Sequence, residues 1–539
     1  MMKKRVFGLK SIAFISIAIA LQWPFSALSA PKDNISFRPD ECWFNPPREL
    51  STDCGYLSTP ETYGRNNSRI LQLPVVIFNS DSAGQPVLYV DGGPGSDSGL
   101  GNDSAGRNWE LTIADSSFLQ NRPVVIMAQR GTADETSSLL KCSILGEPRL
   151  RIGLTHSRYD ISDLENQVQR QLVNCRDQAL AADYDLRAYN TENSAQDIIS
   201  LRTALAIPKW DIIAISYGSR PALLATAKDG DHVGALILDG PDIPGSLSSF
   251  KVATYFNASF SRLEKDCSQI KSCAKRFPDM PGYLKELMDT AEKKRPWTAF
   301  RRHGEERISY LRLTPERVMN TLYNGFYTEG AIALMPRALY RAARNDISIF
   351  GALSGSILLD PFFDQRAYGM ALSIDCTEFN RDAALKTLDD ESKKDPLYST
   401  LIESRRKGLS TLCPIWLGES YYRTVTKKPK LGVIKTPILA LSGVYDPVTP
   451  IEVVRPFRNR LPNVQMASVP AMGHGVLFRQ NCTAEIARSF LESPLEEVDT
   501  SCLKDVAQFP DFNLNTAPPM PEPFIKLKTY ESKIDGRSE

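Results

Sequence analysis

The stretch Trp210-Asp211-Ile212-Ile213-Ala214-Ile215-Ser216-Tyr217-Gly218-Ser219-Arg220-Pro221-Ala222-Leu223-Leu224 decides the fold. Residues 210–215 form a short, nearly continuous apolar run, the pattern of a strand buried on both faces of a parallel sheet. The Ala/Leu-rich residues that follow, through Ala227, favour a helix. Almost no chain is left between the two, so the reading is strand, tight turn, helix with Ser216 at the turn. A catalytic side chain held on such a strained elbow needs small residues two positions before and two after it. Ala214 and Gly218 meet that need, and Ser219 lets the helix pack close to the strand. Glycine is the usual residue at the first of these positions; here it is alanine. An ordinary junction whose serine only caps the helix has the same local spelling, so the rest of the chain must discriminate.

Working outward, similar apolar runs stand at residues 74–78, 86–90, 123–127 and 235–238, with helix-like spacing between them, as in Ile198, Ile199, Leu201 and Leu205. Strands alternating with amphipathic helices predict a doubly wound, mainly parallel sheet. From 246 to 432 the character changes to long charged, helix-favouring stretches (283–295, 314–327 and 331–345), which predicts an inserted helical cap. Strand-like runs return at 437–441 and 464–469 and complete the sheet. The expected organisation is therefore a signal peptide over 1–30, a first core part over 31–245, the cap over 246–432, a second core part over 433–507, and a proline-rich then charged tail over 508–539. With 539 residues the chain exceeds what one hydrophobic core usually supports.

Three further stretches supply partners for Ser216. There are only four histidines. His156, His232 and His303 lie in polar surroundings without a motif, whereas His474 follows a strand in Ala471-Met472-Gly473-His474-Gly475, where flanking glycines let a loop present an imidazole. Asp446, in Gly443-Val444-Tyr445-Asp446-Pro447, also follows a strand and lies between Ser216 and His474 in the chain. The order Ser, Asp, His is that expected when the elbow serine is a nucleophile, His474 its base and Asp446 the acid that orients the base. The run 86–90 ends in Asp91-Gly92-Gly93-Pro94-Gly95-Ser96. The backbone N–H groups of Gly93 and Tyr217 are the expected oxyanion donors, each worth about 10²–10³ in rate.

Composition excludes several classes. With 64 basic against 63 acidic residues the net charge is +1, which gives no electrostatic case for nucleic acid. Lys3, Lys4, Arg5 and Lys10, an apolar stretch from Ile12 to Leu21, and small residues at Ser26-Ala27-Leu28-Ser29-Ala30 predict a cleaved export signal, with cleavage after Ser29 or Ala30. No later run reaches the ~18 apolar residues of a membrane span, so no membrane anchor is expected after cleavage. Export suits the even count of ten cysteines, which reads as a disulfide framework in an oxidising compartment. Sequential pairing is the expectation: Cys42–Cys54, Cys142–Cys175, Cys267–Cys273, Cys376–Cys413 and Cys482–Cys502. No C-x-x-C occurs and there are only four histidines, so the spacings do not read as zinc. A serine nucleophile with its base and acid needs no metal or organic cofactor, and none is expected.

Taken together, Gly92-Gly93-Pro94-Gly95-Ser96, Gln129-Arg130-Gly131-Thr132, Ser216-Tyr217-Gly218, the segment 443–450 and Gly473-His474-Gly475 resemble the proline iminopeptidase and tripeptidyl aminopeptidase group of secreted α/β-hydrolases. Cys482 and Cys502 resemble that group's C-terminal region, and the resemblance covers about residues 40–505. It implies an α/β-hydrolase fold and an exported serine peptidase, periplasmic or secreted, that releases single residues or short peptides such as tripeptides from peptide N-termini. It also implies an anion for the substrate ammonium, for which Glu378, in Asp375-Cys376-Thr377-Glu378, is the candidate; a solvated surface acid is the alternative. Ala128, Asp91 and Ala214 depart from the group's usual Asp, His and Gly, so no proline preference is carried over. Two other readings of the chain stay open: a carboxylesterase using the same triad, and a non-catalytic exported binding protein that keeps the fold.

Overall fold

The computed structural model describes residues 35–514, apart from 102–103, 134–138, 303–304, 361–362, 364 and 425–430. The expected signal peptide, most of the tail and His303 lie outside the described residues.

Nine strands form one sheet in the order β1-β2-β3-β5-β4-β6-β7-β10-β11. The first three, β1 (Ser36–Asp40), β2 (Thr52–Pro60) and β3 (Ile70–Phe78), pair antiparallel, and β3 joins β5 (Val124–Met127) antiparallel. From there β5, β4 (Val87–Val90), β6 (Trp210–Ile215), β7 (Val233–Asp239), β10 (Ile438–Gly443) and β11 (Val464–Val469) run parallel. Setting aside the edge strand β1, this is the strand order and direction of the α/β-hydrolase fold. The central strands are apolar because both faces are covered. Leu88, Ile212, Leu236 and Ala440 belong to one buried cluster, and Val87, Ile213, Ile237 and Leu439, their alternating neighbours, belong to the cluster on the other face.

Between β7 and β10 the chain leaves the sheet for a largely helical insertion with a core of its own, built around Phe256, Leu284, Leu322, Phe326, Leu339 and Phe350. The periodic stretches expected there are the helices Met280–Lys293, Pro315–Gly325 and Glu329–Ala342. The insertion also holds what its charge content hid, an antiparallel hairpin of β8 (Trp297–Arg301) and β9 (Ile308–Arg312). In β8 only Thr298 and Phe300 turn inward, too few alternations to register in the sequence. Strand β1 is an exposed edge strand, and β2, although paired on both sides, is interrupted by polar residues (Thr52, Asp53, Ser58, Thr59), so neither spells an apolar run.

All five expected disulfides are present, each joining sequential cysteines. Among the described residues no helix is long and apolar enough to cross a membrane. The first residues of the tail stay with the insertion: Phe512 is buried in its core and Asn513 N–H donates to Ala333 O at 3.1 Å.

Candidate active site

The elbow is built as the local sequence demands. β6 ends at Ile215, Ser216 takes a left-handed φ of 54°, and the helix Ser219–Asp229 starts at once. The position that bears the strain is thus the serine itself, a costly conformation for a residue with a side chain. Ala214 sits in regular strand, paired with Val90 and Leu238, so nothing there calls for glycine's backbone freedom. Gly218 is different. A Cβ there would collide with the Val90 carbonyl oxygen and stand 2.5 Å from that of Asp91. Gly92 likewise lies so close to the serine that a Cβ would come within 2.9 Å of Ser216 Cβ.

Sheet register brings the other expected residues to the same end. Ile215 pairs with Asp239, so Ser216 and Gly240 are the next residues on neighbouring strands. The imidazole of His474 lies against Gly240, where a Cβ would be 3.0 Å from Cε1. His474 and Asp446 follow β11 and β10 respectively, and β10 pairs with both β7 and β11. His474 Nδ1 is 2.8 Å from Asp446 Oδ2. A carboxylate can only accept, so Nδ1 carries the proton and Nε2 is left as the basic nitrogen.

Asp446 is buried and well supplied with donors. Its Oδ1 accepts from Val448 N–H at 2.8 Å and Thr449 N–H at 2.9 Å, and its Oδ2 also accepts from Thr449 Oγ1 at 3.1 Å. Burial alone would raise its pKa, but the charge and hydrogen bond of His474, with the two N–H groups, hold it below the ordinary carboxylate value. Burial opposes the charged form of His474 too, and there Asp446 prevails, raising the imidazole above its ordinary value with a smaller contribution from Asp239.

Asp239 was not singled out in the sequence. It ends β7, and its carboxylate accepts from Val476 N–H at 2.8 Å and Leu477 N–H at 2.8 Å, so it clamps the loop that carries His474. An aspartate closing an apolar strand just before a glycine was the available signal. The Gly-Gly-Pro-Gly loop is clamped in its turn. Asp91 Oδ1 accepts from Gly92 N–H at 2.7 Å, Asp91 Oδ2 from Ser96 Oγ, and Gln129 Nε2 donates to Asp91 O at 2.8 Å. Gly92 N–H is therefore occupied, and the next N–H of that loop is Gly93's. Arg130, of the same Gln-Arg-Gly motif, is fully buried and paired with Asp197 at 2.7 Å, a structural role.

Glu378 is not a solvated surface acid. It caps the helix Tyr368–Thr377 and is buried, with Oε1 accepting from Thr191 N–H at 2.9 Å and Oε2 3.8 Å from Arg220 Nη1. Arg220, on the elbow helix, also holds Asp242 at 2.9 Å. Burial pushes the Glu378 carboxyl up, against the pull of Arg220. The helix it caps packs on the elbow: Ala367, Met370 and Ile374 enclose Tyr217, and Arg366 Nε donates to Pro94 O at 2.9 Å. Among the described residues no group of His, Cys, Asp and Glu is placed to hold a metal ion.

Residues 402–502 match the family described as TAP-like protein. The chain is distantly homologous to serine protease Hip1 of Mycobacterium tuberculosis and Mycobacterium bovis, 26% identical over 232 residues, 41% of this chain. That match spans only 42% of the length of those relatives. Among solved structures, a thermophilic esterase from Thermogutta terrifontis aligns at 12% identity over 82% of this chain and 99% of its own, with a TM-score of 0.33. An α/β-hydrolase from a deep-sea metagenome library aligns at 13% identity over 80% and 96%, with a TM-score of 0.32.

Proposed function

We propose that this α/β-hydrolase, whose residues 402–502 form a TAP-like C-terminal region, is an exported serine hydrolase that releases single residues or short peptides from peptide N-termini. One observation carries the reading: a serine on a left-handed elbow stands beside the glycine on which an aspartate-bonded imidazole rests. In this reading His474 Nε2 takes the Ser216 proton as Oγ attacks the substrate carbonyl carbon. The N–H groups of Gly93 and Tyr217 hold the oxyanion, and Asp446 stabilises the imidazolium. His474 then protonates the leaving amine, and water, deprotonated by the same imidazole, releases the acyl group.

The step from hydrolase to aminopeptidase needs an anion for the substrate ammonium. The helix Tyr368–Thr377 ends in two carboxylates with different surroundings. Glu378 is already engaged by Thr191 and Arg220, so in this proposal it acts indirectly, by fixing Arg220 and the elbow helix. Asp375, three residues earlier, is accessible, and we assign the ammonium to it. Five disulfides support export to an oxidising compartment.

The test is hydrolysis of aminoacyl- and tripeptidyl-aminocoumarins, with free and blocked amines, by the wild type and Ser216→Ala. Cleavage of free-amine substrates that falls by at least about 10³-fold in the variant is the expected result. Activity indifferent to the amine would make the protein an esterase-type hydrolase. Equal activity in the two proteins would remove Ser216 from the mechanism.

A further inference from the structure

Beside the triad, the insertion places a cation that the mechanism does not use. Tyr323 and Tyr327 lie one helical turn apart at the end of Pro315–Gly325, and the Tyr327 ring is 4.8 Å from the ring of His474. The Arg405 guanidinium stands 5.9 Å from the centroid of the Tyr323 ring. Arg405 belongs to the helix Ser399–Lys407, whose other terminal cations are spent on partners. Arg406 pairs with Asp389 at 3.0 Å and with Glu403 at 3.2 Å, and Lys407 pairs with Glu165 at 2.8 Å. Among the described residues, no carboxylate lies within ion-pair distance of Arg405.

Arg405 does not face open water either. Its side chain is accessible, yet loss of surrounding water is the largest influence on its charge, outweighed by Tyr323, Asp375 and Tyr327 together. Asp375 has the same character: accessible, with its carboxyl raised first of all by loss of water, while Arg366, Arg405 and Arg220 pull it down. Groups that are reached by solvent and crowded by protein line a cleft. Geometry places both groups near the triad: Asp375 stands on the helix whose Ala367, Met370 and Ile374 enclose Tyr217, and Arg405 stands over Tyr323, one turn from the Tyr327 ring that lies against His474.

A guanidinium presents a planar fork of donors that matches the two oxygens of a carboxylate. Held in a water-poor setting with no carboxylate among the described residues within ion-pair distance, it gains most from an anion that arrives with the ligand. We propose that Arg405, beside Tyr323 and Tyr327, holds a carboxylate of the bound substrate: the C-terminal carboxylate of a short peptide, or an acidic side chain close to the scissile bond. The proposal rests on the peptidase reading for the identity of the substrate. With Asp375 meeting the ammonium, the cleft is matched to short zwitterionic peptides rather than to the end of a long chain.

Binding can be measured without turnover. Tri-alanine, its C-terminal amide and the amide Ala-Glu-Ala-NH2 are titrated calorimetrically into the mature Ser216→Ala protein and into the same protein carrying Arg405→Gln or Arg405→Lys. Tri-alanine is expected to bind at least about tenfold more tightly than its amide, the size of a charge-assisted hydrogen bond. Arg405→Gln should erase that difference and leave the affinity for the tri-alanine amide unchanged, which also shows that the variant folds; Arg405→Lys should keep part of it. Tight binding of the glutamyl amide identifies the side chain as the source of the carboxylate, and tight binding of tri-alanine alone identifies the terminus. The proposal is overturned if neither carboxylate-bearing peptide binds more tightly than the tri-alanine amide, or if the preference survives Arg405→Gln. A carboxylate preference that depends on Arg405, in a protein that cleaves no aminocoumarin, would instead remove the peptidase reading and leave Arg405 as an anion site.

Discussion

Two carboxylates act on His474, one by a direct hydrogen bond and one through the loop that carries it. Asp446 bonds Nδ1 directly, and Asp239 holds the loop behind it. Both raise the imidazole pKa, so kcat/KM should fall with decreasing pH along an acid limb placed above the ordinary imidazole value of ~6.5. Replacing Asp239 by Asn removes the smaller of the two contributions while keeping an acceptor for the loop, and should move that limb to lower pH. An unmoved limb in a pH–rate profile would mean that the Asp239 charge is not felt at the imidazole. Stability runs the other way for this group. A histidine pKa raised by folding contributes stability that is complete below the unfolded value and fades as pH rises through the folded one. The pH range in which His474 can act as a base is therefore the range in which its own ionisation no longer stabilises the fold.

At the scale of elements, the junction of β4, β6 and the elbow helix has no room to spare. Gly218→Ala would press a methyl group into the carbonyls that end β4, so a loss of about 1–3 kcal/mol, the usual cost of overpacking, is expected together with a loss of turnover. Gly408 makes the comparison. Its φ is ordinary and no atom lies within 4 Å of a Cβ there, so Gly408→Ala should be neutral or stabilising by about 0.4–1 kcal/mol. Denaturant midpoints and rates for the two variants test this; equal midpoints would refute the tight elbow. The same contrast explains which elements were legible. β6 and β10 are buried along nearly their whole length and spell themselves as apolar runs. β1 is an exposed edge strand, and β8 and β9 form a two-stranded hairpin extended only by a single bridge from Tyr310 to Thr155, so their sequences carry little periodic signal.

Across the whole molecule, disulfides join the parts that carry the site. Cys376–Cys413 ties the helix bearing Asp375 to the short helix Cys413–Leu417, with a sequence separation of 37, and Trp416 Nε1 donates to Ser373 Oγ across the same contact at 2.9 Å. Chain-entropy reasoning gives such a loop about 4 kcal/mol. Replacing both cysteines by Ser should lower the melting temperature and weaken substrate binding more than it lowers turnover of bound substrate; an unchanged melting temperature would show that the helix is held without the bridge. The sequence by itself determined the strand–turn–helix around Ser216 and the chain order of Ser216, Asp446 and His474, because these are written in local pattern or in simple succession; ten cysteines do not spell their own partners, and the fold decided the sequential pairing. Only the tertiary structure decided that Glu378 is enclosed against Arg220, that Asp239 clamps a loop far along the chain, and that Arg405 stands over the Tyr323 ring while Tyr327 lies against the imidazole. Burial and charge pairing arise between residues that folding brings together from distant parts of the chain, and no local pattern records which acid or base will meet which partner.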